Sequence, residues 1–296
     1  MTRLLTIAPF RHLALTLFCA NALILTVSSA LAQQARPQSP GTSPPKSSMP
    51  FPSPSNLWDQ NAVVQRGNNK LVSPLIAKDD NCFLPPLNAL PSASVEIADL
   101  KVPSNAQKEH RDGCASLRSG NMVAAEVHLR KAVKRWPKYS AAWVVLGQLL
   151  EAQQKAEEAY GSCSQALATD PNYLPAYLCL ADVSAHSESW DRVLQFSTRA
   201  LEIDSTNDAL AYDYHAAANF HLHRLPEAEK SALRAAEIDK SNADPRVHFL
   251  LAQIYEAKGD RESEASQLRE YLKYASDPKD AAMVSRYLSE LEKLPE

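Results

Sequence analysis

Histidine is the residue of this chain best suited to metal binding or proton transfer, and four histidines lie in its C-terminal part. His215, His221 and His223 are close together, and His248 follows further along the chain. On a helix, residues 221 and 223 would point to different sides, and no carboxylate stands at a spacing that completes a metal site. We therefore expect surface or groove-lining histidines, and we predict no metal site.

Signatures of known active sites are missing from the sequence. It contains no H-E-x-x-H, G-x-S-x-G, Walker phosphate loop or G-x-G-x-x-G motif. The chain has only seven glycines, which leaves little material for a loop that cradles phosphates. We predict that the protein is not an enzyme, that it has no catalytic residues and that it needs no cofactor.

The first 32 residues resemble a secretory signal. Arg3 and Arg11 give a basic start, residues 13–27 are mostly apolar, and Ala30-Leu31-Ala32 offers small residues at the two positions that a signal peptidase reads. The alternative is an uncleaved anchor. In either case we expect the rest of the chain to be exported to the periplasm or beyond. After cleavage we expect no membrane insertion, because no other apolar stretch is long enough to cross a membrane.

Charge and cysteine content narrow the choice of partners and compartment. Without the signal, 29 basic residues face 34 acidic residues, which disfavours a nucleic-acid partner. Cys82, Cys114, Cys163 and Cys179 remain, and the sequence cannot choose among their three complete pairings. Bridges can form outside the cytoplasm, but we expect the last three to be small buried apolar residues on helices.

The segments before residue 104 lack the composition of a large folded domain. Residues 33–56 are rich in Pro, Ser and Gln, and we predict a disordered linker. Residues 57–103 are irregular, with one candidate strand at 94–103. From residue 104 onward proline thins out and helix-forming residues dominate.

A period of 34 residues organises residues 104–278. It separates Pro137 from Pro171, Ala125 from Ala159, and Gly113 from Gly147, and it defines five units. Each unit contains two helix-length apolar patterns, with glycine between them at Gly120 and Gly259. Asp244-Pro245 and Asp277-Pro278 each indicate an N-cap followed by the first helical residue.

The second unit carries the signature of a known repeat at the expected spacing: Trp143, Leu146, Gly147, Leu150, Ala159, Cys163, Ala166 and Pro171. The pattern resembles the tetratricopeptide repeat family. This resemblance implies an all-α superhelix, a solenoid of about five hairpins over 104–278. Residues 279–296 place Val284, Leu288 and Leu291 on one face, which indicates a C-terminal capping helix or, alternatively, a surface for homo-oligomers.

In this family the first helices of successive hairpins line an inner groove that holds a protein or peptide partner. Carrying that geometry over predicts the following groove residues: Val144, Gln148, Glu151, Leu178, Asp182, His186, Asp213, Tyr214, Ala217, Phe220, Phe249 and Gln253. The groove would be apolar, partly aromatic and suited to a peptide with apolar anchors. Interhelix packing is an open alternative for several of them, especially Leu178 and Phe249.

Three functions are consistent with the sequence. The first is a non-enzymatic interaction scaffold of the bacterial periplasm or cell envelope, which binds its partner in the groove. The second is a structural, homo-oligomeric subunit of an envelope assembly that is joined through the terminal helix. The third is an enzyme or ligand-binding protein with its site in residues 57–103, a stretch too short for an ordinary catalytic domain.

Overall fold

Helices account for almost all of the chain that a computed structural model describes, namely residues 82–87, 101–206, 208–240, 244–275 and 277–293. The predicted signal peptide, the linker and most of residues 57–103 lie outside these ranges. Only the last three residues of the candidate strand are described, and residues 101–103 lead into a helix without forming a strand.

Eleven helices follow one another in the described ranges, and no strand occurs there. They are α1 (Ser104–Arg118), α2 (Met122–Arg135), α3 (Ser140–Ala152), α4 (Ala156–Thr169), α5 (Leu174–His186), α6 (Trp190–Ile203), α7 (Ala209–His221), α8 (Leu225–Ile238), α9 (Arg246–Lys258), α10 (Arg261–Tyr274) and α11 (Pro278–Leu291). Helices α1 to α10 pair in order into five hairpins, and each hairpin packs on the next. The predicted all-α solenoid is confirmed.

Small side chains let the two helices of a hairpin approach closely. Ala125, Ala159 and Ala166 on the second helices are fully buried. Gly147 on α3 lies at such an approach, because a Cβ atom built there would clash with the Cys163 sulfur and lie 3.2 Å from the Ala159 carbonyl oxygen. The repeated small residues of the sequence therefore mark helix crossings.

The turns follow the signals in the sequence, with one shift. Gly120 and Gly259 have positive φ angles of 79° and 75°, as expected for glycines that end a helix. Asp277 caps α11 by accepting a hydrogen bond from the Lys279 amide. The predicted N-cap at Asp244 is wrong by one residue, because Pro245 occupies that position and Asp244 accepts bonds from Arg246 instead.

In three successive units, an aromatic side chain of the first helix forms a hydrogen bond with the turn that precedes its hairpin. The donor is an indole N–H or a phenol O–H, and the acceptor is a backbone carbonyl six or seven residues earlier. The pairs are Trp143 with Pro137 (2.8 Å), Tyr177 with Pro171 (2.9 Å) and Tyr212 with Ser205 (3.1 Å). Each bond satisfies a turn carbonyl and fixes how one hairpin follows another.

Helix α11 closes the C-terminal end of the solenoid. Val284 and Leu288 are buried against a cluster that includes Phe249, Leu268 and Tyr271. The apolar stripe of α11 is therefore used inside the chain, and the predicted capping helix is confirmed. Within the described part, no helix is both long and apolar enough to span a membrane.

Candidate functional site

One face of the solenoid carries equivalent positions of successive first helices. Cys114 on α1, Gln148 on α3 and Asp182 on α5 are each 34 residues apart in the sequence. Ala217 follows on α7. We call the surface formed by these positions and their neighbours on the same helices the inner face. Ten of the twelve predicted groove residues stand on α3, α5 and α7, and Phe249 and Gln253 stand on α9, the first helix of the last hairpin.

A short stretch of the protein's own chain, residues 82–87, lies on the first part of the inner face. The Gln148 side chain holds both backbone groups of Leu84: its Oε1 accepts from the Leu84 N–H at 3.1 Å, and its Nε2 donates to the Leu84 carbonyl at 2.8 Å. Phe83, Leu84 and Leu87 are buried. Gln148 thus recognises this segment by its backbone, as a receptor does with a bound peptide.

A disulfide bond between Cys82 and Cys114 anchors the same segment to α1, across a sequence separation of 32 residues. His110 lies one helical turn before Cys114, with its Nε2 atom 3.8 Å from the sulfur. Its Nδ1 atom is 3.1 Å from the Tyr139 hydroxyl. Burial lowers the pKa of His110 to about 4, with a smaller contribution from nearby arginines. The imidazole beside the bridge is therefore neutral at physiological pH.

The predicted groove residues do not include His110 and Cys114, although both belong to the inner face. They stand one 34-residue period before Val144 and Gln148, so the period alone is a sufficient signal for them. Cys114, Cys163 and Cys179 are buried on helices as expected, but all three are bridged: Cys163 on α4 is bonded to Cys179 on α5.

A connected set of polar side chains continues across the inner face from α3 to α7. His186 Nδ1 lies 3.7 Å from Glu151 and 3.8 Å from the Asp182 carboxylate, and the Tyr214 hydroxyl donates to Asp182 at 2.7 Å. Burial raises the pKa of Glu151 to about 6; His186 lowers it and Asp182 raises it. The carboxyl of Glu151 is therefore close to its titration point near neutral pH.

A second buried acid lies where α7 meets α9. The pKa of Asp213 is raised to about 8, mainly by burial and secondly by the neighbouring Asp244, although Arg246 lowers it. Burial alone would raise the pKa of Asp244, but its ion pair with Arg246 lowers it. One oxygen each of Asp213 and Glu151 is buried and accepts no hydrogen bond from the described part of the chain. Both oxygens are unused acceptors on the inner face.

The predicted groove residues are mostly buried. Fully buried, apolar or aromatic members are Val144, Leu178, Tyr214, Ala217 and Phe249. Buried polar members are Gln148, Glu151, Asp182, Asp213 and Gln253. Only His186 and Phe220 are half-buried.

Packing explains the burial of the two side chains for which the sequence left both interpretations open. Leu178 belongs to the main core, and Phe249 contacts Tyr271 in the cluster beneath α11, with ring centroids 5.6 Å apart. Over the described residues, the polar members of the predicted groove form a row, and only His186 and Phe220 among the twelve are half-buried. The first helices bury their apolar side chains between neighbouring hairpins.

The four histidines near the C-terminus do not converge. His215 contacts Ser231 at 2.9 Å, His221 stacks on Trp190 with ring centroids 3.7 Å apart, and His248 contacts Gln267 at 2.9 Å. Each of these three is a packing residue of its own hairpin or of the adjacent one.

Two other groups of side chains place metal-binding atoms within 4.8 Å of one another in the described chain: Cys82, His110 and Cys114, and Glu109, Asp112 and His128. In the first group, Cys82 and Cys114 form the disulfide bond with each other. In the second, the imidazole of His128 contacts the Glu109 carboxylate at 2.8 Å, and Arg135 contacts the same carboxylate at 2.9 Å. This arrangement is an ion-pair cluster on the first hairpin.

Comparison with known proteins agrees with this architecture. A tetratricopeptide repeat family model matches residues 116–181. PilW, a widely conserved type IV pilus biogenesis factor, has a similar fold with a TM-score of 0.58 and 15% identity, over 64% of this chain and 87% of PilW. PilF of Pseudomonas aeruginosa gives a TM-score of 0.57 and 14% identity, over 67% of this chain and 87% of PilF.

A thermophilic tetratricopeptide repeat protein of Thermus thermophilus is also similar, with a TM-score of 0.50 and 18% identity. The match covers 64% of this chain and 100% of the Thermus protein. At these identities the likeness is one of fold. Together with the five hairpins, the matches show that the helical array has the fold of tetratricopeptide repeat proteins, with the repeat itself matched over residues 116–181.

Proposed function

We propose that this protein is a non-enzymatic scaffold that binds a partner polypeptide along the inner face of its repeats, outside the cytoplasm. The observation that carries the proposal is the pair of hydrogen bonds between Gln148 and the backbone of Leu84. An inner face that holds a segment of its own chain by backbone hydrogen bonds has the chemistry to hold a segment of another protein.

The polar row beyond Gln148 is suited to the same task. A bound extended chain brings backbone N–H groups that need acceptors when they are buried. Glu151 and Asp213 each offer a buried oxygen that accepts no hydrogen bond within the described chain, and half-buried Phe220 offers an apolar contact. A partner segment that crosses α3, α5 and α7 would pass both carboxyl groups and meet this aromatic side chain.

The proposed location, the periplasm or cell envelope, is supported by two independent features. The N-terminal 32 residues have the composition of a secretory signal. The four remaining cysteines form two bridges, Cys82–Cys114 and Cys163–Cys179, and stable disulfides are typical of proteins that function outside the cytoplasm.

Affinity capture from an envelope extract of the source organism tests the proposal, with the full chain as bait. The variant is His186→Ala with Phe220→Ser, because both side chains are half-buried on the inner face. The matched control is Val123→Ser on α2, where the side chain is 75% exposed. Circular dichroism first verifies that both variants retain the helical content of the wild type.

We expect the wild type and the control to retain the same partner and the inner-face variant to lose it. Equal capture by all three proteins would refute binding at the inner face. Loss in the control alone would instead assign binding to the exposed surface of α2.

A further inference from the structure

Residues 82–87 cross the inner face in the direction in which the repeats succeed one another. Cys82 forms a disulfide bond with Cys114 on α1, and Leu84, two residues later, forms hydrogen bonds with Gln148 on α3. Those two partners occupy the same position of neighbouring repeats, 34 residues apart. The segment therefore follows the path that a partner polypeptide would take from one repeat to the next.

The contacts of this segment define what its site accepts. The two hydrogen bonds of Gln148 go to the backbone of Leu84, so they do not depend on the side chain there. Selectivity comes from the buried side chains of Phe83, Leu84 and Leu87 and from the intervening Pro85 and Pro86. A ligand of the same chemistry is a peptide with two adjacent apolar residues, then two prolines, then another apolar residue.

We propose that residues 82–87 are a built-in competitor that fills the first section of the inner face, and that loss of the Cys82–Cys114 bond makes this section available to an apolar–proline peptide of a partner. This inference rests on the proposed function, because it names the partner chemistry of one section of the same face. The bridge matters because it keeps the competitor at its site at a very high effective concentration.

Reduction by a dithiol supplies the chemical step. One thiolate of the dithiol attacks a sulfur of the bridge, the sulfur–sulfur bond breaks, and a mixed disulfide forms. The second thiolate resolves the mixed disulfide, and the dithiol leaves in its oxidised, disulfide form. Cys82 and Cys114 gain two electrons and take up two protons as thiols. Both cysteines are buried, so attack requires the segment to lift from the inner face first.

Fluorescence anisotropy with a labelled peptide tests the inference on the full chain. The probe has the sequence of residues 81–89 with serine in place of Cys82. The open variant combines Cys82→Ser and Cys114→Ser with Phe83→Ser and Leu84→Ser, so that both the bridge and the competitor are disabled. The matched control, Cys163→Ser with Cys179→Ser, removes only the other bridge.

We expect the open variant to bind the probe about 30-fold more tightly than the oxidised wild type or the control, because the tethered competitor no longer has to be displaced. Adding Gln148→Ala to the open variant should weaken binding by about 30-fold, since two buried backbone groups of the probe lose their partner. Equal binding by oxidised wild type and open variant would overturn the inference.

Hydrogen exchange provides a second readout that does not depend on the probe. Reduction of the wild type should accelerate exchange of the Leu84 amide by about 10-fold or more, since its opening is no longer limited by the tether. If the folded open variant binds no probe, or if exchange does not change on reduction, the inference fails. The proposed function is judged separately, because His186 and Phe220 lie on α5 and α7, away from this section.

Discussion

Replacement of Gln148 by alanine should detach residues 82–87 from the inner face while the array stays folded. The change leaves the N–H and carbonyl of Leu84 without the partners they have at 3.1 Å and 2.8 Å. Each buried and unsatisfied backbone group costs about 1–3 kcal/mol, or about 2–6 kcal/mol together. The segment can relieve this cost by lifting into water, so the loss is limited to the free energy with which the segment docks.

That limit can be estimated from the side chains that would be exposed. Burial of Phe83, Leu84 and Leu87 stabilises the docked segment by about 1.5–3 kcal/mol per side chain, and ordering six residues costs about 1–2 kcal/mol each. These two contributions nearly cancel, so the two hydrogen bonds decide whether the segment docks. We expect Gln148→Ala to lower the free energy of unfolding by about 2 kcal/mol.

The assay combines urea denaturation with hydrogen exchange on the oxidised protein. Gln165→Ala on α4, an exposed position, is the matched control and should leave both measurements unchanged. Gln148→Glu is a graded variant, because it keeps an acceptor for the Leu84 N–H but has no donor for the carbonyl when ionised. If Gln148→Ala leaves both the stability and the protection of the Leu84 amide at wild-type values, the assigned role of Gln148 is wrong.

Three further predictions concern the solenoid itself. Gly147→Ala should lower the free energy of unfolding by about 1–3 kcal/mol, because the added Cβ would clash with the Cys163 sulfur. Gly161→Ala, which has nothing within 4 Å of the added Cβ, should raise the free energy of unfolding by about 0.5–1 kcal/mol. Thermal melting compares the two variants. Because the folded pKa of Asp213 is raised to about 8, its stabilising contribution is fully present below the pKa of the unfolded chain and is lost as pH rises through 8. The free energy of unfolding of Asp213→Asn should therefore rise by roughly 2–3 kcal/mol relative to that of the wild type between pH 6 and pH 9, as measured by urea titrations. If the difference between the two proteins does not change with pH, Asp213 does not titrate in this range. Leu288→Asp should lower the free energy of unfolding by about 3 kcal/mol, because Leu288 packs inside the chain. The molecular mass measured by light scattering should not change. A fall in that mass would favour the interpretation of α11 as a surface for homo-oligomers.

The fold could be predicted because its signals repeat. The 34-residue period and the small residues at helix crossings specify each hairpin several times over, and Asp277 and Gly259 mark boundaries by local chemistry alone. The cap at Asp244 was misplaced by one residue because the Asp-Pro pattern does not reveal that Arg246 engages the same carboxylate. That interaction is local in sequence but depends on the turn conformation.

The inner face was only partly predictable from the same pattern. The period placed Gln148 and Asp182 on it, but it could not show which side chains pack between hairpins, so Leu178 and Phe249 remained open until their burial was known. The bonds of Gln148 to Leu84 join residues 64 positions apart. Residues 82–87 carry no periodic signal of their own, and nothing local in their sequence indicates where they dock.

Hydrogen–deuterium exchange on the full chain with and without its captured partner tests whether the partner binds along the inner face. We expect the partner to slow exchange in the first helices of the later hairpins, α5, α7 and α9, and to leave exchange in the second helices α6 and α8 as it is in the free protein. Slower exchange confined to the second helices, or to α2 around the exposed Val123 and Val127, would contradict binding along the inner face.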